Sequence, residues 1–385
     1  MINPSGQQNQ LSPPWNQTRV ATLLGIKYPI VQGPMGGLST QQLTATVSNS
    51  GGLGSFGAHG WSASAIKDVI AEIRSLTSKP FAINLWVSME DAGARTSGSA
   101  AFARSLAPLA EHIQALGGTL PRYEPYVPVK FEDQVRAVID AKVPAFSFIY
   151  GIPPKEILDE CRAQNIVTIG TATTPDEAIA LEQAGVAVIA ASGFEAGGHR
   201  GSFLCPAEES LTGTFSLVPQ VADAVTVPVV AAGGIADARG IVAAFALGAE
   251  GVQIGTAFLA TSQSGASARH REAILSGNAR KTGLTRGFTG RLARGIHNQL
   301  LVELNRPGVE ILPYPLQRVP VRSLAMAAEK AGKPELLPLW AGQSASLVRH
   351  NARHNDAAGL LQVLVAELSA IAGPVLGWNR GRGGQ

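Results

Sequence analysis

Cysteine is nearly absent from this sequence. Only Cys161 and Cys205 occur in 385 residues, which excludes a disulfide scaffold and makes a reducing, cytoplasmic compartment the expectation. Charge is sparse as well, at 15% Asp, Glu, Lys and Arg where ~25% is usual. The net charge of +3 is too small to imply nucleic acid or membrane partners. No apolar run approaches the ~20 residues of a membrane span. Residues 1–18 are rich in Gln, Asn, Pro and Ser and lack the basic and apolar regions of a secretory leader. Disorder is excluded for the bulk of the chain, because 45% of it is hydrophobic and charge is low. What remains is a soluble globular protein with a sizeable core, monomer or dimer being left open.

Glycine is plentiful, and short apolar runs alternate with helical patterns from residue 28 onward. The strand-like runs are Tyr28–Val31, Leu53–Phe56, Phe81–Val87, Ala145–Tyr150, Ile166–Ile169, Val186–Ala191, Val227–Ala232 and Gly251–Ile254. Several are apolar throughout, as strands covered on both faces are. Helical patterns fall between them, for example at 63–76, 155–164, 175–184 and 236–247; Pro175 with Asp176 and Glu177 reads as a helix start. Eight βα units predict a TIM (β/α)8 barrel over residues 19–262. An open doubly wound sheet is the alternative, but Gln32-Gly33-Pro34-Met35-Gly36-Gly37 does not match its Gly-x-Gly-x-x-Gly turn. Residues 91–131 read as an insertion with one helix around 102–116. Strand signals stop after 262, so 263–345 is expected to be an appended, mostly helical cap. Leu360, Leu361, Leu364, Leu368 and Ile371 predict a helix within 346–378 that packs back on the barrel. The ends, 1–18 and 379–385, are expected to be unstructured.

Barrel enzymes carry their chemistry at the C-terminal ends of the strands. The seventh run exits into Ala232-Gly233-Gly234-Ile235 and the eighth into Gln253-Ile254-Gly255-Thr256-Ala257-Phe258. Such glycines let backbone N–H groups approach an anion, with help from the following helix N-terminus. A tight turn is the bland reading; the paired placement favours phosphate. The sixth run exits into Ser192-Gly193-Phe194-Glu195-Ala196-Gly197-Gly198-His199-Arg200-Gly201. There His199 suits proton transfer near neutrality, although a structural histidine is the alternative. The other six histidines are assigned to helices or the tail. His350 and His354 are spaced i, i+4 but lack a Glu or Cys ligand nearby, so no metal is expected. Asn84, inside an apolar strand, must hydrogen-bond either backbone or the amide edge of a planar ring. The arginines of 265–294 read as a solvated basic face, with Gly287-Phe288-Thr289-Gly290-Arg291 as a possible approach to an anionic substrate.

At these motifs the sequence resembles the nitronate monooxygenases of the FMN-dependent barrel type, over residues 28–261 and more weakly at 287–298 and 342–368. The resemblance implies that FMN is held by Gln32, Gly33, Pro34, Met35, Asn84, Thr171, Ser192, Gly197, Gly198, Gly233, Gly234, Gln253, Ile254, Gly255 and Thr256. It makes His199 the catalytic base. The family often carries Gln at the position of Ser192, and some relatives carry Lys at that of Thr171. The implied reaction is oxidation of a small aliphatic nitronate with O2 to a carbonyl compound and nitrite, in a pocket expected to include Met35, Phe148 and Tyr150. Flavin-dependent NAD(P)H reduction of enoyl or quinone substrates, and a flavin-free phosphate-binding barrel lyase, are the alternatives.

Overall fold

The computed structural model describes residues 14–351 and 355–376. Its strands are β1 Ile30–Gln32, β2 Gly54–Gly57, β3 Phe81–Trp86, β4 Ala145–Ile149, β5 Val167–Ala172, β6 Val188–Ser192, β7 Gly198–His199, β8 Val229–Ala232, β9 Gly251–Ile254, β10 Thr282–Thr285 and β11 Ala293–Ile296. Eight of them form one parallel sheet in the order β1-β9-β8-β6-β5-β4-β3-β2. The sheet closes where Val31 bridges Leu53, through Gln32 N–H to Leu53 O and Leu53 N–H to Ile30 O, both 2.9 Å. The molecule is a TIM barrel.

Period-2 alternation sorts the strand residues between two environments. Ile83, Leu85, Phe146 and Phe148 belong to the core between sheet and helices. Val31, Ala82, Ala145, Ile169, Val188, Ala190 and Val230 point inward and form a second core. The helix Arg19–Leu24 plugs the N-terminal end of the barrel with Val20 and Leu24. Two residues further along, the inward positions become Asn84, Ser147, Thr171 and Ser192, and Gln253 on β9 pairs with inward Val31. The barrel is therefore apolar at its closed end and polar at its open one.

Helix starts follow local chemistry. Thr174 caps the helix Pro175–Gln183, accepting the Glu177 N–H. Glu177 folds back to accept the N–H and hydroxyl of Thr173 at 2.6 Å. The insertion contains the helix Ser99–Ala115, which joins residues of the later region through Phe102, Leu312 and Leu316. The hydroxyl of Ser105 donates to Gln317 Oε1 at 2.6 Å.

Two expectations are corrected. Strands do not stop at 262: β10, β11 and β7 make a second, antiparallel sheet in which Ala293 pairs with His199. Helix Phe131–Asp140 follows the insertion directly and leads into β4. Of the N-terminal segment expected to be unstructured, residues 1–13 lie outside the described residues, yet Trp15 is buried, stacks on Tyr28 at 5.7 Å and donates to Ser369 Oγ at 3.2 Å. Ser369 belongs to the helix Ala357–Leu376, whose Leu360, Leu361, Leu364 and Leu368 are buried in the main core. His354 and residues 377–385 lie outside the described residues. No described helix is long and apolar enough to cross a membrane.

Candidate active site

A cavity of about 860 Å³ opens at the C-terminal end of the barrel. Fourteen of the residues singled out in the sequence line it: Gly33, Pro34, Met35, Asn84, Thr171, Ser192, Gly197, Gly198, His199, Gly233, Gly234, Gln253, Gly255 and Thr256. Gln32 and Ile254 do not. Gln32 is fully buried beneath the strand ends, where its carboxamide donates to Gly33 O and accepts the Ser55 N–H at 2.9 Å. Ile254 faces the outer core and its carbonyl accepts the Gly33 N–H at 2.8 Å. Phe148 points to the helices and is fully buried, so alternation removes it from the pocket. Tyr150 packs below the cavity against Trp86 and Tyr314.

The glycine end of the cavity is a backbone surface. Gly233 and Gly234 take φ of +103° and +69°, a region costly for residues with a Cβ. Gly255 lines the cavity, and a Cβ placed on it would meet no protein atom within 4 Å. A segment within 342–368, to which the sequence reading gave no site role, completes this end. The Ser344 hydroxyl donates to Gly234 O at 2.6 Å, and Gly342 N–H donates to Thr256 Oγ1 at 2.9 Å. Gly197 must lack a side chain, since its Cβ would lie 2.6 Å from Gly342 N. The expected contribution of a free helix N-terminus after β8 is corrected, because Asp237 caps the helix Ala238–Ala246 and accepts its Arg239 and Gly240 N–H groups. The space left by these glycines fits the phosphate of a nucleotide-type cofactor.

The opposite wall is aromatic. Trp86, at the end of β3, meets His199 edge-on at 5.0 Å, and Trp340 lies 5.3 Å from the same imidazole. Pairing of β7 with β11 fixes the backbone of His199, and its Nε2 stands 2.8 Å from Thr289 Oγ1. Asn84 donates to Ser147 Oγ at 3.0 Å, so a side-chain partner satisfies it in part. Arg291 and Arg294 are not on a solvated basic face. Arg291 is 5% exposed, pairs with Asp91 at 2.7 Å, and stacks 4.1 Å over Tyr150 and 4.5 Å over Tyr314. Arg294 is buried and donates to Phe194 O at 3.0 Å. Desolvation holds the His199 pKa well below its usual value, with further depression from His59, Arg291 and Arg318. The base candidate is therefore neutral at physiological pH.

His59 was assigned to the helices or tail, and this too is corrected: it follows β2 and lines the cavity. Reading the exit of β2 as the exit of β6 was read would have found it. Thr289 and Arg291 were within a segment flagged for an anionic substrate; Trp340 carried no signal. Among the described residues no group of His, Cys, Asp and Glu could hold a metal ion.

The geometry agrees with what comparison finds. A family model described as nitronate monooxygenase matches residues 17–367. A probable nitronate monooxygenase of Staphylococcus aureus strain Newman is 43% identical over 338 residues, covering 86% of this chain and 93% of that protein. The structure resembles nitroalkane oxidase from Streptomyces ansochromogenes at a TM-score of 0.81 and 36% identity, covering 93% of this chain and 99% of the other. FabK from Thermotoga maritima superposes at 0.70 with 28% identity, covering 94% and 99%.

Proposed function

The chain belongs to the nitronate monooxygenase family and is an oxidoreductase, and from that premise we propose that it uses FMN and O2 to convert small aliphatic nitronates to carbonyl compounds and nitrite. One observation carries the reading. A neutral imidazole stands at the wall of a cavity whose other end is a glycine-built anion cradle. The backbone at Gly233, Gly234, Gly255 and Thr256 would hold the FMN phosphate. Asn84, Thr171, Ser192 and Gln253, inward on neighbouring strands, would meet the ring. Bound there, the flavin supplies the redox chemistry that the protein's own side chains lack.

The remaining work belongs to His199 and its surroundings. A neutral nitroalkane must lose its α-proton before it can be oxidised, and the unprotonated imidazole takes it. The Thr289 hydroxyl and the β7–β11 pairing hold the ring in place while it does so. Trp86, Trp340 and Met35 exclude water around the substrate carbon. The region 263–345, appended to the barrel, acts as the cap that brings Thr289 and Trp340 to the site.

The purified protein is expected to be yellow and to release FMN on denaturation. Mixed anaerobically with a preformed alkyl nitronate, it should lose its flavin absorbance, and admitted oxygen should yield nitrite. Fast bleaching by NADH with no response to the nitronate would replace this reading by a reductase on the same barrel. A colourless protein that cannot be reconstituted with FMN would reject both.

A further inference from the structure

A second imidazole faces the same cavity, and the mechanism above leaves it unused. His59 follows β2, and its ring lies flat on Trp86 at 3.9 Å and 10°. Trp86 is also the ring that meets His199. Around the barrel β3 stands opposite β8, so His59 sits at the end of the cavity that holds the base and away from the glycine cradle. Gly36 makes room for it: a Cβ there would lie 1.9 Å from His59 Cε1.

The two ring nitrogens are not equivalent. Nδ1 is enclosed and has no hydrogen-bond partner. An orphaned N–H is rarer and costlier than an unpaired acceptor, so the bare lone pair belongs on Nδ1 and the proton on Nε2. Nε2 makes no hydrogen bond among the described residues and is the polar atom the ring has left for the cavity it lines. A donor without an acceptor, beside the base, is a place for a substrate oxygen.

We propose that His59 is a substrate-binding residue whose Nε2–H donates to an oxygen of the nitro or nitronate group while His199 handles the α-proton. The assignment rests on the nitronate reading given above. Burial, with Arg318 and Arg291 nearby, lowers the His59 pKa to about 3. The ring therefore stabilises the anion as a neutral donor and has no extra proton to return to the nitronate carbon.

The test compares full-length, flavin-loaded His59→Phe and His59→Gln with the unmodified protein. Phe keeps a ring on Trp86 but has no donor; Gln restores one. For propyl-1-nitronate, kcat/KM is expected to fall roughly ten- to hundredfold in the Phe variant, the loss expected for a hydrogen bond to a charged group, mainly through KM, with partial recovery in Gln. Butyrate, the carboxylate analogue of that nitronate, should bind the Phe variant more weakly by a similar factor in isothermal titration calorimetry. Flavin content should not change. Unaltered KM and butyrate affinity in His59→Phe would overturn the assignment, and so would loss of flavin. Absence of nitronate turnover in the unmodified protein would instead overturn the functional reading; the butyrate measurement, which needs no turnover, keeps the two failures apart.

Discussion

At His199, desolvation that would be a penalty elsewhere keeps an imidazole unprotonated, the state the proposed base role needs. The His199→Asn variant retains approximate size and a hydrogen-bonding group, so flavin should stay bound. Activity on a neutral nitroalkane is expected to fall ~10²–10⁴-fold, and activity on the corresponding nitronate far less, because that substrate has already lost its proton. Oxygen uptake on both forms at one pH decides it; equal losses would reject the base role. Arg291 sets the same property from beneath. Its charge, together with those of Arg318 and any proton on His59, opposes a charged His199. Removing it in Arg291→Gln should raise the His199 pKa, so the acid limb of the kcat/KM profile on nitroalkane should move to higher pH. An unmoved limb in a variant that still melts cooperatively would count against that electrostatic link.

Among the elements, the loops after β8 and β9 carry the proposed cradle, and the strap from β10 to β11 supports the proposed base. Gly234 combines φ +69° with a Cβ position only 3.4 Å from Glu195 Cβ. Gly234→Leu is therefore expected to distort the loop and to release flavin on dialysis that the unmodified protein survives. Stoichiometric flavin after dialysis would show that the cradle lies elsewhere. The barrel strands were legible in the sequence to within about two residues at most ends because, covered on both faces, they read as continuous apolar runs. The strap was not. Thr282-Gly283-Leu284-Thr285 and Ala293-Arg294-Gly295-Ile296 have no such run, and their partner β7 is two residues long, so the pairing is a tertiary fact that no local pattern announces. His199 and the glycine loops were legible from their place at strand exits. His59 has the same placement just past its strand, but that exit was not read as the exit of β6 was.

For the molecule as a whole, enclosing neutral imidazoles ties stability to pH. His59, His199 and His270 all have lowered pKa values, desolvation being the first cause in each. Below about pH 6.5 the unfolded chain binds protons at these positions and the folded chain does not. Stability is thus expected to fall with falling pH, by up to ~1.4 kcal/mol per unit for each histidine. Urea unfolding between pH 7.5 and 5 measures this, and His59→Phe should remove one proton from the dependence. A pH-independent midpoint over that range would contradict the enclosure of these rings.

The order of synthesis follows from where the strap lies in the chain. A ribosome that has delivered Ile254 has delivered every barrel strand, and the plug helix before them. Thr289, β11, Trp340 and Gly342 are still to come. At ~5–20 residues per second the wait lasts on the order of 4–18 s. Until it ends, the nascent barrel has His199 without its partner strand and a cradle open on the Gly342 side. Completion of the site is thereby postponed until well after the barrel itself has been translated.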